Sequence, residues 1–352
     1  MGDVEVPDVK QLDITIHESA LVEGTLGLIK QLRPQWQDVQ TKIFTEGITN
    51  KLVGCYERGK FEEEVVLVRI YGLKTELFID RDVEKENIAA LSKQGLSAPL
   101  FAVFNNGIAY GFVYGSTLDE KTVRDPTIQR LIAKEMCRLH TSKNLEEKHE
   151  PGLYSKMTNF LELCPDSFND PDLQKRFVAE VKSKSELLEE FELLKSHTEK
   201  LNCPVVFSHN DLLLKNIIYN KKTESVSFID LEYAMFNYQP FDIADHFCEY
   251  AGVDTVDYSL YPEHEYQLSW LRNYLESWNE MTNCKETVTD LAVERLYVQV
   301  NKFALLAHFF WGIWALIQAK NSTVDFDFLG YGIERLNEYF ARKNDFLALE
   351  MP

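Results

Sequence analysis

Apolar residues recur at helical spacing from Glu18 to Leu32, and two runs of β-type residues then follow within Lys42 to Tyr56. The segment Glu46-Gly47-Ile48-Thr49-Asn50 between them predicts a hairpin turn. Glu64 to Tyr71 (EVVLVRIY) reads as a third strand rich in β-branched residues. Asp80 to Leu91 reads as a helix with Glu84, Ile88 and Leu91 on one face, so Glu84 is expected to point inward with the apolar side chains. Leu100 to Phe104 and Ile108 to Val113 predict two more strands around the turn Asn105-Asn106-Gly107. From about Ser116 the pattern becomes helical, interrupted by one β-rich stretch, Val205 to Ile229. Asn144 to Gly152 and Cys164 to Asp172 read as loops, and Lys175 to Leu201 as one long amphipathic helix. The change of pattern near residue 114 predicts an α+β chain with a small β-rich lobe, residues 1–113, and a larger, mainly helical lobe, residues 114–352.

With 352 residues, 45% of them hydrophobic and 26% charged, the composition is that of an ordinary globular protein. The run Phe303 to Ala319, between Lys302 and Lys320, falls short of the ~20 residues of a spanning helix and contains His308 and Gln318, which predicts a buried helix and no membrane span. A net charge of -19 argues against a nucleic-acid partner, whose phosphates require clustered Lys and Arg, and suits a cationic ligand. The six cysteines are widely spaced, with neither a CxxC pair nor a zinc pattern, and the opening residues lack the basic and apolar regions of a secretory signal. A cytoplasmic setting with reduced thiols is the expectation.

Most of the chemistry lies in Val206-Phe207-Ser208-His209-Asn210-Asp211-Leu212-Leu213-Leu214-Lys215-Asn216-Ile217-Ile218-Tyr219, followed by Val226-Ser227-Phe228-Ile229-Asp230. Phosphoryl transfer from ATP needs a carboxylate near the attacking hydroxyl and hard oxygen ligands for Mg²⁺, and the order H-x-D-x-x-x-x-N followed by a strand-terminal Asp supplies them. Asp211 is then the base, Asn216 and Asp230 are metal ligands, and Glu232 is a candidate for a second ion. Taken singly, such residues are turn formers and strand caps. Arg69 on the third strand and Glu84 on the next helix stand where a protein kinase has its Lys–Glu pair, and Arg can grip phosphate in a fork. Gly47, Thr49 and Asn50 could lie over the phosphates or form an ordinary turn. In a protein-kinase-like bilobal fold, Gly111 to Tyr114, including Val113, would join the lobes and offer backbone groups to adenine, with Leu214 and Ile229 as an apolar floor.

G-x-G-x-x-G, D-F-G and A-P-E are absent, which speaks against a protein substrate. Val66 to Gly72, Ser208 to Ile218, Phe228 to Glu249 and His308 to Ala319 resemble the choline/ethanolamine kinase family from about Lys42 to the end. Asn105-Asn106-Gly107, His209 to Leu213 and Glu249 to Val253 look closer to its ethanolamine kinases. The resemblance implies phosphorylation of ethanolamine to phosphoethanolamine, the first step of the CDP-ethanolamine route to phospholipid; a choline or dual-specificity kinase, and a non-catalytic relative, are the alternatives. It also implies that Trp311 and Trp314, which alone would read as core, line the amino-alcohol pocket with Glu249 near the cation. Asp242 and His246 would support the catalytic loop, and His140 would be a buried, hydrogen-bonded histidine. Related kinases include dimers, so a homodimer is one expectation. The sequence departs from the family at Leu231, where an aromatic residue is usual, and at Ala244-Asp245, where Gly-Asn is usual.

Overall fold

A computed structural model describes residues 9–44, 51–72, 79–142 and 149–352. The chain forms two compact units, one comprising residues to Gly115 together with Ile229–Glu232, the other Ser116–Phe228 with Tyr233–Pro352. The predicted turn with Gly47, Thr49 and Asn50 lies outside the described residues.

In the first unit the elements run β1 (Lys10–Leu12), α1 (Leu21–Leu32), β2 (Val39–Phe44), β3 (Lys51–Glu57), β4 (Val66–Ile70), α2 (Arg81–Ser92), β5 (Leu100–Phe104) and β6 (Gly107–Gly111). The strands form one sheet in the order β1-β5-β6-β4-β3-β2, antiparallel except that β1 lies parallel to β5. Strand β1 was not anticipated, because three residues carry no periodicity. All five residues of β4 are buried, so the strand reads as a continuous apolar run with Arg69 inside it. Leu28 and Ile29 of α1 pack with Val53, Val66, Val68, Ala102 and Ala109 in one cluster, and Ile88 of α2 packs with Leu100, Val103 and Ile108 in another. Asp80 caps α2 by accepting from the amides of Asp82 and Val83. Gly107 follows the two-residue turn between β5 and β6, and a Cβ there would fall far inside van der Waals contact with the Arg69 carbonyl oxygen. Only glycine permits that approach.

In the second unit the elements are β7 (Ser116–Thr117), α3 (Pro126–His140), α4 (Leu153–Leu163), α5 (Pro171–Glu180), α6 (Lys184–Glu199), β8 (Val205–Ser208), β9 (Ile217–Asn220), β10 (Ser225–Phe228), β11 (Met235–Tyr238), α7 (Gln239–Cys248), α8 (His264–Thr282), α9 (Asp290–Asn321) and α10 (Phe328–Leu347). The helix expected over Lys175 to Leu201 is two helices. Val181 adopts an extended backbone and Ser183 starts α6 with a reciprocal cap, its hydroxyl accepting from the Glu186 amide while the Glu186 carboxylate accepts from the Ser183 amide. The β-rich stretch likewise divides, since β9 pairs with β10 and β7 whereas β8 pairs with β11.

Helix α9 is longer than the apolar run suggested, because Lys302 lies inside it with its ammonium on the Leu347 carbonyl at 3.3 Å. Its length and composition would suffice to cross a membrane, and its most apolar window is wholly buried in the fold. It packs chiefly against α10 and α7. All six cysteines are free thiols.

Candidate active site

The loop after β8 is built by side chains that replace a regular ladder. Asn210 has a left-handed backbone (φ 67°), which Asn tolerates better than most residues. Its side-chain nitrogen donates to the carbonyls of Ser208 (3.1 Å) and Tyr233 (3.0 Å), and its side-chain oxygen accepts from Asn237 at 2.6 Å. Two carboxylates of α7 hold the loop backbone. Asp242 accepts from the amides of His209 (2.9 Å) and Asn210 (2.6 Å) and bonds the His140 ring at 2.9 Å; Asp245 accepts from the Leu212 amide at 2.9 Å. The Asn216 side chain donates to the Asp211 carbonyl at 2.9 Å, and that leaves its own amide oxygen as an acceptor.

Burial alone would raise the pKa of Asp242, but the hydrogen bond and charge of His140, the His209 ring and the Asn210 amide outweigh it and hold the carboxyl below its ordinary range. Asp245 goes the other way: burial and then the charge of Glu249 push it well above the carboxylate range, against the pull of Arg335. His246 is wholly buried and pushed down to about 4 by desolvation. Its Nδ1 faces the Leu212 carbonyl at 3.4 Å, so in the neutral ring that nitrogen carries the proton. His140 is buried between Asp242 and the Tyr274 hydroxyl, as expected.

Trp311 and Trp314 sit edge to face on α9, ring centroids 5.3 Å apart, and Tyr233 meets Trp311 at 5.1 Å. Both indole nitrogens are anchored, Trp311 to Asp245 (2.8 Å) and Trp314 to the Tyr233 hydroxyl (2.8 Å). Phe328 packs against Trp314, and Lys156 lies 5.0 Å from the centre of the Tyr233 ring. Glu249 is buried and bonded through Oε1 to Arg335 at 2.6 Å, while its Oε2 has no hydrogen-bond partner among the described residues. Arg335 also donates to the Tyr331 hydroxyl and the Ala307 carbonyl. The carboxylate expected beside the substrate cation is thus oriented by an arginine that sequence reasoning missed, 86 positions away in the chain.

Within the first unit Arg69 is buried and forms an ion pair with Glu84 and another with Asp230, the latter at 2.6 Å. Glu84 lies inward, as the periodicity of α2 predicts. Arg81 was not anticipated. It bridges Glu84 (2.8 Å) and Glu232 (3.0 Å) and lies 4.1 Å above the Tyr71 ring; its i, i+3 placement before Glu84 was the available signal. Asp230 adopts a left-handed backbone (φ 63°). Burial first, and then the Glu232 charge, push its carboxyl up to about 6 against the opposing pull of Arg69.

The remaining expected residues divide by unit. Leu214 is buried in the second and Ile229, half-buried, belongs to the first. At the end of β6 the Gly111 amide already donates to the Pro99 carbonyl and the Phe112 amide to Val65, so the adenine contact expected of Gly111 would have to use another atom, while Val113 follows. Leu231 is buried.

A loop carrying Asp211 and Asn216, an arginine–glutamate pair on a strand and helix, and an acidic segment after β10 define a phosphotransferase of the protein-kinase-like fold. A model of the choline/ethanolamine kinase family matches residues 41–340. The chain belongs to that family. It is 48% identical to ethanolamine kinase 1 of Homo sapiens, over 98% of this chain and 78% of that protein. Identity is 50% to a probable ethanolamine kinase of Nematostella vectensis, over 92% of this chain and 93% of that protein. The solved ethanolamine kinase of Plasmodium vivax, 26% identical, gives a TM-score of 0.78 over 92% of this chain and 89% of that one.

Proposed function

We propose that this protein transfers the γ-phosphoryl group of ATP to the hydroxyl of ethanolamine, yielding phosphoethanolamine, an entry step to phospholipid synthesis. The observation that carries this reading is the edge-to-face cluster of Trp311, Trp314 and Tyr233 set against the buried carboxylates Asp245 and Glu249, in the same unit as Asp211. Aromatic faces attract a cation, and carboxylates satisfy the three N–H donors of a primary ammonium that a quaternary one lacks. Arg335 occupies one oxygen of Glu249 and leaves the other to accept from the substrate.

Asp211 accepts the hydroxyl proton as the alcohol attacks phosphorus. Arg69, held by Glu84, bears on the phosphates. Asn216, through its amide oxygen, and Asp230 would hold magnesium, with Glu232 as a further ligand. The donor set fits a hard cation: the Asn216 side-chain nitrogen is committed to the Asp211 carbonyl, which leaves the oxygen as the acceptor, and Asp230 and Glu232 concentrate negative charge that a divalent ion relieves. Magnesium would supply charge neutralisation of the phosphates. The backbone near Val113, with Leu214 and Ile229, is assigned to adenine. Six free thiols accord with a reducing, cytoplasmic setting.

The test is kcat/KM with Mg-ATP for ethanolamine, its mono- and dimethyl forms and choline. A steady fall with methylation is expected; preference for choline transfers the assignment to that substrate, and no turnover with any of the four refutes it. Asp211→Asn should abolish turnover with nucleotide binding retained.

A further inference from the structure

Glu84 is shared by two arginines, one at each oxygen: Arg69 pairs with Oε1, and Arg81 with Oε2 at 2.8 Å. Each arginine then reaches a different carboxylate of the acidic segment after β10, Arg69 to Asp230 at 2.6 Å and Arg81 to Glu232 at 3.0 Å. The result is a chain of alternating charge, Asp230–Arg69–Glu84–Arg81–Glu232, in which both carboxylates assigned to magnesium already face a cation. The Glu232 side chain is only 3% exposed, and a carboxylate so deeply buried is expensive to leave without a counter-charge. Arg81 has two further holds, Glu84 and the Tyr71 ring, whose centre lies 4.1 Å away.

We infer that Arg81 is a counter-ion standing in for a divalent cation at Glu232, neutralising that carboxylate in the metal-free enzyme and giving it up when the ion arrives. The inference rests on the proposed kinase reading, in which Glu232 is a further magnesium ligand. Two cations on one buried carboxylate repel each other, so metal binding at Glu232 is coupled unfavourably to the Arg81 contact. By reciprocity, loss of Arg81 strengthens the metal by the factor with which Arg81 weakens it. The exchange is short-range, because Glu84 and Tyr71 retain Arg81 after Glu232 has left it. Glu232 is thereby kept folded and neutralised without metal, at the expense of a weakened affinity for the ion beyond the one that ATP carries.

The test is Mn²⁺ binding to the nucleotide-free protein, followed by the electron paramagnetic resonance signal of unbound Mn²⁺. Arg81→Met, which keeps the length of the side chain and removes its charge, should tighten binding about tenfold. Adding Glu232→Gln to Arg81→Met should abolish that gain. Damage to the fold would weaken binding, so a gain reports the removed competitor. Binding to Arg81→Met within about twofold of the parent, or a gain that survives Glu232→Gln, overturns the proposal. Should Arg81→Met fail to fold because Glu232 is left buried without a cation, about 10 mM Mn²⁺ must restore a cooperative melt, since an ion that binds only the native state stabilises it. Failure to restore it overturns the proposal too. If the parent turns over no amino alcohol, the kinase reading fails, while the Mn²⁺ titrations still report whether Arg81 and the cation compete.

Discussion

Replacing Asp242 by Asn tests how firmly the catalytic loop is held. The native carboxylate accepts from the amides of His209 and Asn210 and contacts the His140 ring, all in a site without solvent exposure. An Asn oxygen can keep the Asn210 amide, which lies on the Oδ1 side, while its N–H₂ faces both the His209 amide and the His140 ring on the Oδ2 side. The ring can adapt: Nε2 can become the acceptor if Nδ1 donates to the Tyr274 hydroxyl, 2.7 Å away. The His209 amide cannot, so one buried donor is left unsatisfied at a cost of about 1–3 kcal/mol. At roughly 2–4 °C per kcal/mol in a domain of this size, calorimetry should show a fall of about 4–8 °C for a loss near 2 kcal/mol, together with lower kcat. Asp242→Ala leaves all three groups without the carboxylate and should approach the limit of folding. An Asp242→Asn protein melting within about 1 °C of the parent at full activity would refute the idea that these bonds hold the loop.

Removing Arg335 as Arg335→Met leaves the Glu249 charge buried alone and should cost about 3–5 kcal/mol, read by urea unfolding; adding Glu249→Gln should recover much of that stability without restoring ethanolamine affinity. His246, held down to about 4 by burial, is neutral in the folded chain while the unfolded chain protonates it near 6.5. Stability is therefore full above that value and declines as pH falls toward 4, by about 3 kcal/mol for this residue at about 1.4 kcal/mol per pH unit; buried His308, also well below its ordinary value, adds in the same direction. A flat unfolding free energy between pH 7 and 4.5 would contradict this. Gly107→Ala drives a methyl into the Arg69 carbonyl and the Phe104 ring and should cost about 1–3 kcal/mol with reduced kcat/KM.

What the sequence disclosed is what short-range pattern can carry. The pairing of Arg69 with Glu84 was legible because a strand and an amphipathic helix each have a period; Asp211, Asn216 and Asp230 stood out as candidates because the spacing that phosphoryl transfer demands is local. The two tryptophans were visible as a pair, but what anchors them was not: Asp245 stands 66 positions from Trp311. Arg335 gave no signal at all, since on α10 it looks like any charged residue until Glu249 is found against it. The break between α5 and α6 was carried by Ser183 and Glu186, whose reciprocal cap spans too few residues to disturb an otherwise continuous apolar period.

The four residues Ile229–Glu232 belong to the first unit although the chain on both sides of them belongs to the second. Arg69 must wait 161 positions for Asp230, and Arg81 151 for Glu232. At ~5–20 residues per second the ribosome takes roughly 10–30 s to supply them, and until then two arginines share the single carboxylate of Glu84. A fragment ending at Gly115 would stay permanently in that condition, with two arginines against one carboxylate where the complete protein sets three. Dissection at the apparent boundary would therefore yield a weakened half, whereas grafting the acidic segment back onto the fragment should restore its stability.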